Sequence, residues 1–411
     1  MENRINKNDE DLLFHDSKEK IIDFKLNKIV NSPFSNESKI IRKRNLGIDL
    51  LRIIAMFFII NHHIIYLGGP LFGTKILTFE NNLLLFFNTI LCSGVNMFGM
   101  ISGFVGFHSH KYSNLIYLFF QTFLYNCCIR FYFKKKKPDV SQDISNFIYP
   151  VFRSGYWYFN AYFSLYFFLP LINSGIKAMN KREMEIFVLS IFLLFSCFNQ
   201  VKHYSTKLNL DFFKFNNGFT YMWLIILYCY GSFFGRFKHI NLNYKFLLNN
   251  LIYIGITCFV AFLRNIIIIY KLKNNINVDK MRVEYTCPSS VIISICFIII
   301  FSQINIKSKL LQKLISFFSP LTYGIYLIHN HALVLGYIIK NRYLWLLKYN
   351  IHKLNLTVFI ESSKIFIICI FIDYLRFISF KFFKIRELST FISNFLGIIG
   401  NRIIFILKKI F

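Results

Sequence analysis

Arg52 and His63 stand eleven residues apart in DLLRIIAMFFIINHHIIY, a stretch from Asp49 to Tyr66 in which nearly every other residue is apolar. Eleven residues is close to three turns at about 3.6 residues per turn, so a guanidinium and an imidazole share one helix face, roughly 16 Å apart along the axis. Asp49 lies three residues before Arg52 and can pair with it. Tyr66 extends the same stripe beyond His63, whereas His62 points about 100° away. An imidazole can take up and return a proton near neutral pH, and a guanidinium can hold phosphate oxygens or a carbonyl. Ionisable groups inside an apolar run of membrane length usually face a protein interior or a water-filled cavity, and they mark function more often than in soluble helices. Taken alone, the Asp49–Arg52 pair reads better as an ordinary interfacial anchor.

Other polar groups in apolar surroundings form a second tier. Arg264 lies deep in AFLRNIIIIY with no local partner, which calls for an acid on another helix or an anionic ligand. Glu361 and Lys364 can satisfy each other at a spacing of three, and Asp373 follows in the same run. In PLTYGIYLIHNHALV, residues Tyr323, Tyr326 and Asn330 share a face that His329 borders, a candidate polar site. Ser102 belongs to GVNMFGMISGFVGF with Gly94, Gly99, Gly103 and Gly106. Such small residues serve close helix contact or a substrate-lining wall with about even odds. Trp157 stands between Tyr156 and Tyr158, where an interfacial aromatic belt is the plain explanation and a stacking surface for a sugar or an isoprenoid carrier the sharper one.

Elements of membrane length must position these groups. The chain has 411 residues, is 55% hydrophobic and 19% aromatic, and has a mean hydropathy of +0.46. That composition predicts an all-α polytopic membrane bundle of about ten transmembrane helices, near 46–67, 83–107, 114–133, 156–176, 184–200, 218–237, 246–270, 287–304, 320–340 and 355–379. Three segments result: a polar N-terminal tail over 1–44, a membrane domain over 45–380 and a basic, interfacial C-terminal segment over 381–411. No cleavable signal peptide is expected, because the first 45 residues are polar. The cluster Lys39, Arg42, Lys43 and Arg44 favours a cytoplasmic N-terminus, and an even number of spans returns the C-terminus to the same side of the cell membrane.

The net charge of +28 sits mainly in short connections between apolar runs, where Lys and Arg meet anionic headgroups, so the expected partner is lipid and not nucleic acid. Nine cysteines are scattered without metal-ligand spacing, and neither a disulfide framework nor a metal site is expected.

RNLGIDLLRIIAMFFIINHH, GVNMFGMISGFVG and LTYGIYLIHNH, together with YWYFNAYFSLYFFLPLIN, resemble the acyltransferase-3 family of polytopic membrane acyltransferases over roughly residues 44–380. The most specific element is an Arg followed after ten residues by a His, which selects Arg52 and His63. The resemblance implies transfer of an acyl group, usually acetyl from acetyl-coenzyme A as donor substrate, to a hydroxyl of a surface or cell-envelope glycan or a lipid-linked glycan, with no tightly bound cofactor. The donor would approach from the cytoplasm and the acceptor from the membrane or its outer side. His63 then becomes the general base, with an acyl-histidine intermediate as a variant. Arg52, oriented by Asp49, would hold coenzyme A phosphates or the donor carbonyl, while Ser102, Trp157, Arg264, Tyr326 and His329 would support or line the site. The chain departs from the family at the start of the third span, where many members carry an Arg-rich motif and this one has Lys111 before Tyr112-Ser113-Asn114. No esterase-like domain is expected after the last span. A flippase or transporter of a lipid-linked glycan, and a non-catalytic partner of an envelope synthase, are the readings from other classes.

Overall fold

The structure is a computed structural model that describes residues 44–108, 111–136, 155–199, 213–237, 246–274 and 284–410. Apart from Arg44, the tail expected over 1–44 lies outside the described residues. Among the described residues the secondary structure is helix and turn. The first helix, α1 (Leu46–Tyr66), buries Leu51, Ala55, Met56, Ile60 and Ile64 and is the element around which the others gather. It packs against α2 (Phe79–Cys92), α3 (Gly94–Gly106), α9 (Pro288–Ser302), α11 (Thr322–His329) and α12 (Ile351–Phe382). Between these lie α4 (Tyr112–Lys136), α5 (Trp157–Ala178), α6 (Lys181–Phe192), α7 (Tyr221–Arg236), α8 (Phe246–Lys273) and α10 (Lys309–Phe318), and α13 (Ile385–Ile410) follows α12.

Local chemistry explains where helices begin and bend. Thr78 caps α2 by accepting from the Asn81 N–H, and Asn180 with Glu183 forms a reciprocal capping box at α6. Asn350 caps α12, and Pro288 opens α9, where its missing N–H costs nothing. Between α2 and α3 the Ser93 hydroxyl donates to the Ile90 carbonyl at 2.6 Å, marking the break in an otherwise continuous span.

The glycine-rich stripe of α3 is a helix contact. A Cβ at Gly103 would run into the Tyr228 carbonyl of α7, and one at Gly231 into the Met100 carbonyl of α3. Only hydrogen side chains allow the two backbones to approach this closely. The Ser232 hydroxyl donates across the contact to the Gly103 carbonyl at 3.2 Å.

Two ends of the bundle can be told apart by their hydrogen bonds. At one, Ser319 binds Asp49 near the start of α1, and Arg376 near the end of α12 binds Tyr117 in α4. At the other, the N–H groups of Asn341 and Tyr343 donate to the Leu67 and Gly68 carbonyls just past α1.

Four helices among the described residues are long and apolar enough to cross a membrane, Leu46–Gly73 (α1 with its short extension), Phe79–Gly106 (α2 with α3), Phe246–Lys273 and Ile385–Leu407, and Pro288–Ser302 is apolar but shorter. These four do not by themselves confirm the expected count of about ten: α4 carries Gln121, Asn126 and Arg130, α12 carries Glu361, Lys364, Asp373 and Arg376, and α6 and α7 are short, at 12 and 16 residues. The segment expected as one span over 320–340 is broken. Helix α11 stops at His329, and a new turn starts where the His331 ring accepts from the Leu333 N–H. It ends in a π-helical turn over Leu335–Ile339. Residues 385–407, expected to lie at the interface, form one continuous helix with Phe391, Phe395 and Phe405 exposed.

Candidate active site

The Arg52–His63 stripe forms as the spacing requires. Near the start of α1 the Arg52 guanidinium donates to Asp49 Oδ1 and to the Ser319 hydroxyl, both at 3.1 Å, and that hydroxyl donates to the same Asp49 oxygen at 2.9 Å. The triangle holds Arg52 in one orientation while its side chain stays partly exposed. Asp49 thus orients Arg52 in the way its i, i+3 spacing allows.

Three turns along, His63 is buried and its Nδ1 has no hydrogen-bond partner among the described residues. Its ring centroid lies 5.3 Å from that of His329 in α11. His329 Nδ1 is 2.6 Å from the Ile325 carbonyl, so this nitrogen carries the hydrogen. In the neutral ring Nε2 is then a bare lone pair, and it too is buried without a partner. His62 turns the other way, pairing with Asn88 of α2 at 2.8 Å and stacking on Tyr66.

Two cavities meet at His63. The first is narrow, about 40 Å³, and is walled by His63, Phe98, Trp157, Tyr158, Tyr323 and Tyr326. The second, about 320 Å³, opens toward the Tyr66 end of α1 and is walled by His62, His63, Tyr66, Trp157, Tyr285 and Asn330. His63, Trp157, Tyr285 and Asn330 line both. Trp157 stacks on Tyr285 at 5.9 Å and meets Phe219 edge-on at 4.7 Å. Trp157 thus belongs to an aromatic wall with Tyr285 and Phe219. Tyr323, Tyr326 and Asn330 share the cavity face that their spacing indicates.

Two of the supporting residues stand elsewhere. Ser102 donates to its own helix, at the Phe98 carbonyl (3.0 Å), beside Tyr158 and not on either cavity wall. Arg264 lines neither cavity. Its guanidinium donates to Cys287 Sγ at 2.7 Å with Glu284 nearby, so the partner it needs comes from the segment before α9. Tyr285 is the functional-looking residue that sequence reasoning missed. It precedes Pro288 in a short segment that enters the bundle interior, pinned by its N–H donating to the Asn217 carbonyl and its carbonyl accepting from Asn96. The residues before Pro288 form a turn closed by the Cys287 N–H donating to the Glu284 carbonyl.

A family model described as an acyltransferase domain matches residues 45–375. No match was found among curated proteins or among solved structures.

Proposed function

Because the chain belongs to the acyltransferase-3 family and is an integral membrane protein with several apolar helices of membrane-crossing length, we propose that it moves an acyl group, in the first instance acetyl, from acyl-coenzyme A to a hydroxyl of a surface or cell-envelope glycan. The observation that carries this reading is His63, an imidazole buried between two cavities with its Nδ1 unpartnered. A base for this reaction must sit where two substrates arriving from different sides can touch.

In the proposed step His63 takes the proton of the acceptor hydroxyl as the oxygen bonds to the thioester carbonyl carbon. The carbon–sulfur bond then breaks, and the coenzyme A thiolate leaves with the proton that the imidazolium returns. The Tyr158 and Tyr326 hydroxyls and the Asn330 amide, in the same walls, are the groups that can donate to the developing oxyanion. Arg52 is too far along α1 to touch that oxygen, at roughly 16 Å of helix rise. It serves the donor nearer the Asp49 end, which the basic cluster before α1 makes the cytoplasmic end. The wider cavity at the Tyr66 end takes the glycan, with Trp157 and Tyr285 as the surface against which a sugar lies.

Adjoining cavities inside a helical membrane bundle also suit a flippase for a lipid-linked glycan. Glycan mass spectrometry of a deletion strain separates the two, since loss of an acyl mass increment on otherwise normal surface glycan belongs only to the transferase. Translocation that continues without acyl-coenzyme A belongs to the flippase. Within the transferase reading, undiminished acyl incorporation by His63→Ala removes the proposed base.

A further inference from the structure

A third cavity, about 350 Å³, opens at the Asp49 end of the bundle, between the first turns of α4, the start of α11, the end of α12 and the start of α13. Its volume falls in the range of ligand sites, about 300–1,000 Å³. Three cations line it, Arg376, Lys381 and Arg386, against one carboxylate, Glu387.

The roles of these cations differ. Arg376 is structural: its fork donates to both Asp373 oxygens, at 3.0 and 2.7 Å, and its remaining nitrogen to Tyr117 Oη at 2.9 Å. Asp373 also accepts from Tyr125 and Gln121, so this floor of the cavity is rigid and its charges are matched. Lys381 and Arg386 have no acid partner among the described residues. Arg386 is steadied without being neutralised, donating to Asn114 Oδ1 at 3.1 Å and lying over the Tyr117 ring at 5.1 Å. Two exposed cations on a rigid polar floor make a site for a phosphate ester.

One wall residue is shared with the His63 cavity. Tyr323 belongs both to the wall of the third cavity and to that of the narrow cavity holding His63. From Tyr323 to His329 is six residues of helix and turn, or roughly 9 Å of rise. The aromatic walls of the His63 cavity suit an unbranched chain that carries charge at its far end only. All three cations lie beyond residue 375, where the family match ends. Arg386 binds Asn114, in the third-span region where this chain has Lys111 in place of an Arg-rich motif.

We propose that this cavity is a phosphate-ester site in which Lys381 and Arg386 hold the nucleotide phosphates of the acyl-coenzyme A donor, the pantetheine arm running past Tyr323 toward His63. This rests on the acyltransferase reading. An anionic lipid headgroup offers the same chemistry from a second source.

The test uses the full-length protein in nanodiscs, with acyl transfer measured from acetyl-coenzyme A and from S-acetylpantetheine, which lacks the nucleotide phosphates. For Lys381→Gln/Arg386→Gln the KM for acetyl-coenzyme A is expected to rise about tenfold or more, as loss of two charge-assisted contacts implies, with a much smaller change in kcat. The preference for acetyl-coenzyme A over S-acetylpantetheine shrinks by the same factor, and Lys381→Arg/Arg386→Lys restores most of it. An unchanged KM in a wild-type-like fold overturns the assignment while leaving the acyltransferase reading intact. If KM is unchanged but native mass spectrometry shows loss of bound phosphatidylglycerol, the site belongs to a lipid headgroup and the donor assignment is likewise overturned. Wild-type protein that neither binds coenzyme A nor transfers acyl groups overturns both.

Discussion

Along the same face of α1 stand two polar clusters built in opposite ways. At Asp49, Arg52 and Ser319 the charges and the hydroxyl bind one another. At His63 and His329, three turns away, a nitrogen of each ring is buried without a partner among the described residues. Buried polar groups are nearly always hydrogen-bonded, and one left bare is a cost that stability alone does not explain. The Asp373–Arg376 cluster repeats the first pattern, with Tyr125, Gln121 and Tyr117 completing it. The contrast sets ion-paired clusters, whose groups satisfy one another, against a histidine pair in which one nitrogen of each ring has no partner among the described residues.

Breaking the open cluster should abolish chemistry and spare the frame. His63→Ala is expected to lower acyl transfer by about 10²–10⁴-fold, the usual worth of a general base. Detergent-solubilised yield and melting temperature should stay near wild type, because the ring already borders empty space. A variant that loses its fold along with its activity would erase the contrast. Breaking a closed cluster should do the reverse. Asp373→Asn leaves the Arg376 charge, only 6% exposed, without its counter-ion, at a cost of about 3–5 kcal/mol. Thermal unfolding in nanodiscs reads it as a clear drop in melting temperature. If the variant is as stable as wild type, the cluster is not part of the frame.

A contact with no ionic groups sharpens the contrast from another side. Gly103→Ala should push α3 from α7 at the Tyr228 carbonyl and cost about 1–3 kcal/mol by overpacking. Thermal unfolding checks it. Donor KM should be unaffected, since this contact borders none of the three cavities.

That same stripe shows what the sequence could and could not say. The small-residue spacing announced a close approach but not its partner, because the matching glycine, Gly231, lies more than a hundred residues away and no local period connects them. The Arg52–His63 stripe was legible because both ends lie on one helix, where 3.6-residue geometry fixes relative position without tertiary information. His329 and His331 were harder. Two apart on an unbroken helix they would splay, and here the chain turns between them, sending His329 to His63 and His331 to Tyr156. The break at Asn330 depends on a ring nitrogen accepting a backbone N–H, a choice that tertiary surroundings decide. Tyr285 reaches the site from a segment with no apolar period, so hydropathy passed over it. The Asp373–Arg376 pair was readable at i, i+3, as was Glu361–Lys364, which is present at 2.7 Å.

The smallest effect probes where the two kinds of cluster meet. Ser319 belongs to the turn that starts α11, the helix carrying His329, and its hydroxyl is the link from that helix to Asp49 and Arg52 of α1. Ser319→Ala removes one donor–acceptor group but leaves the Asp49–Arg52 contact at 3.1 Å, so the loss should be about 1 kcal/mol, the net worth of an ordinary hydrogen bond. If the closed cluster is only an anchor, that is the whole effect, and a small fall in melting temperature comes with unchanged kinetics. If it also orients Arg52 toward the donor, the KM for acetyl-coenzyme A rises by a few-fold at constant kcat, and Ser319→Thr, which keeps the hydroxyl, restores it. Kinetics that do not move in Ser319→Ala would confine Arg52 to the frame and leave donor recognition to Lys381 and Arg386 alone.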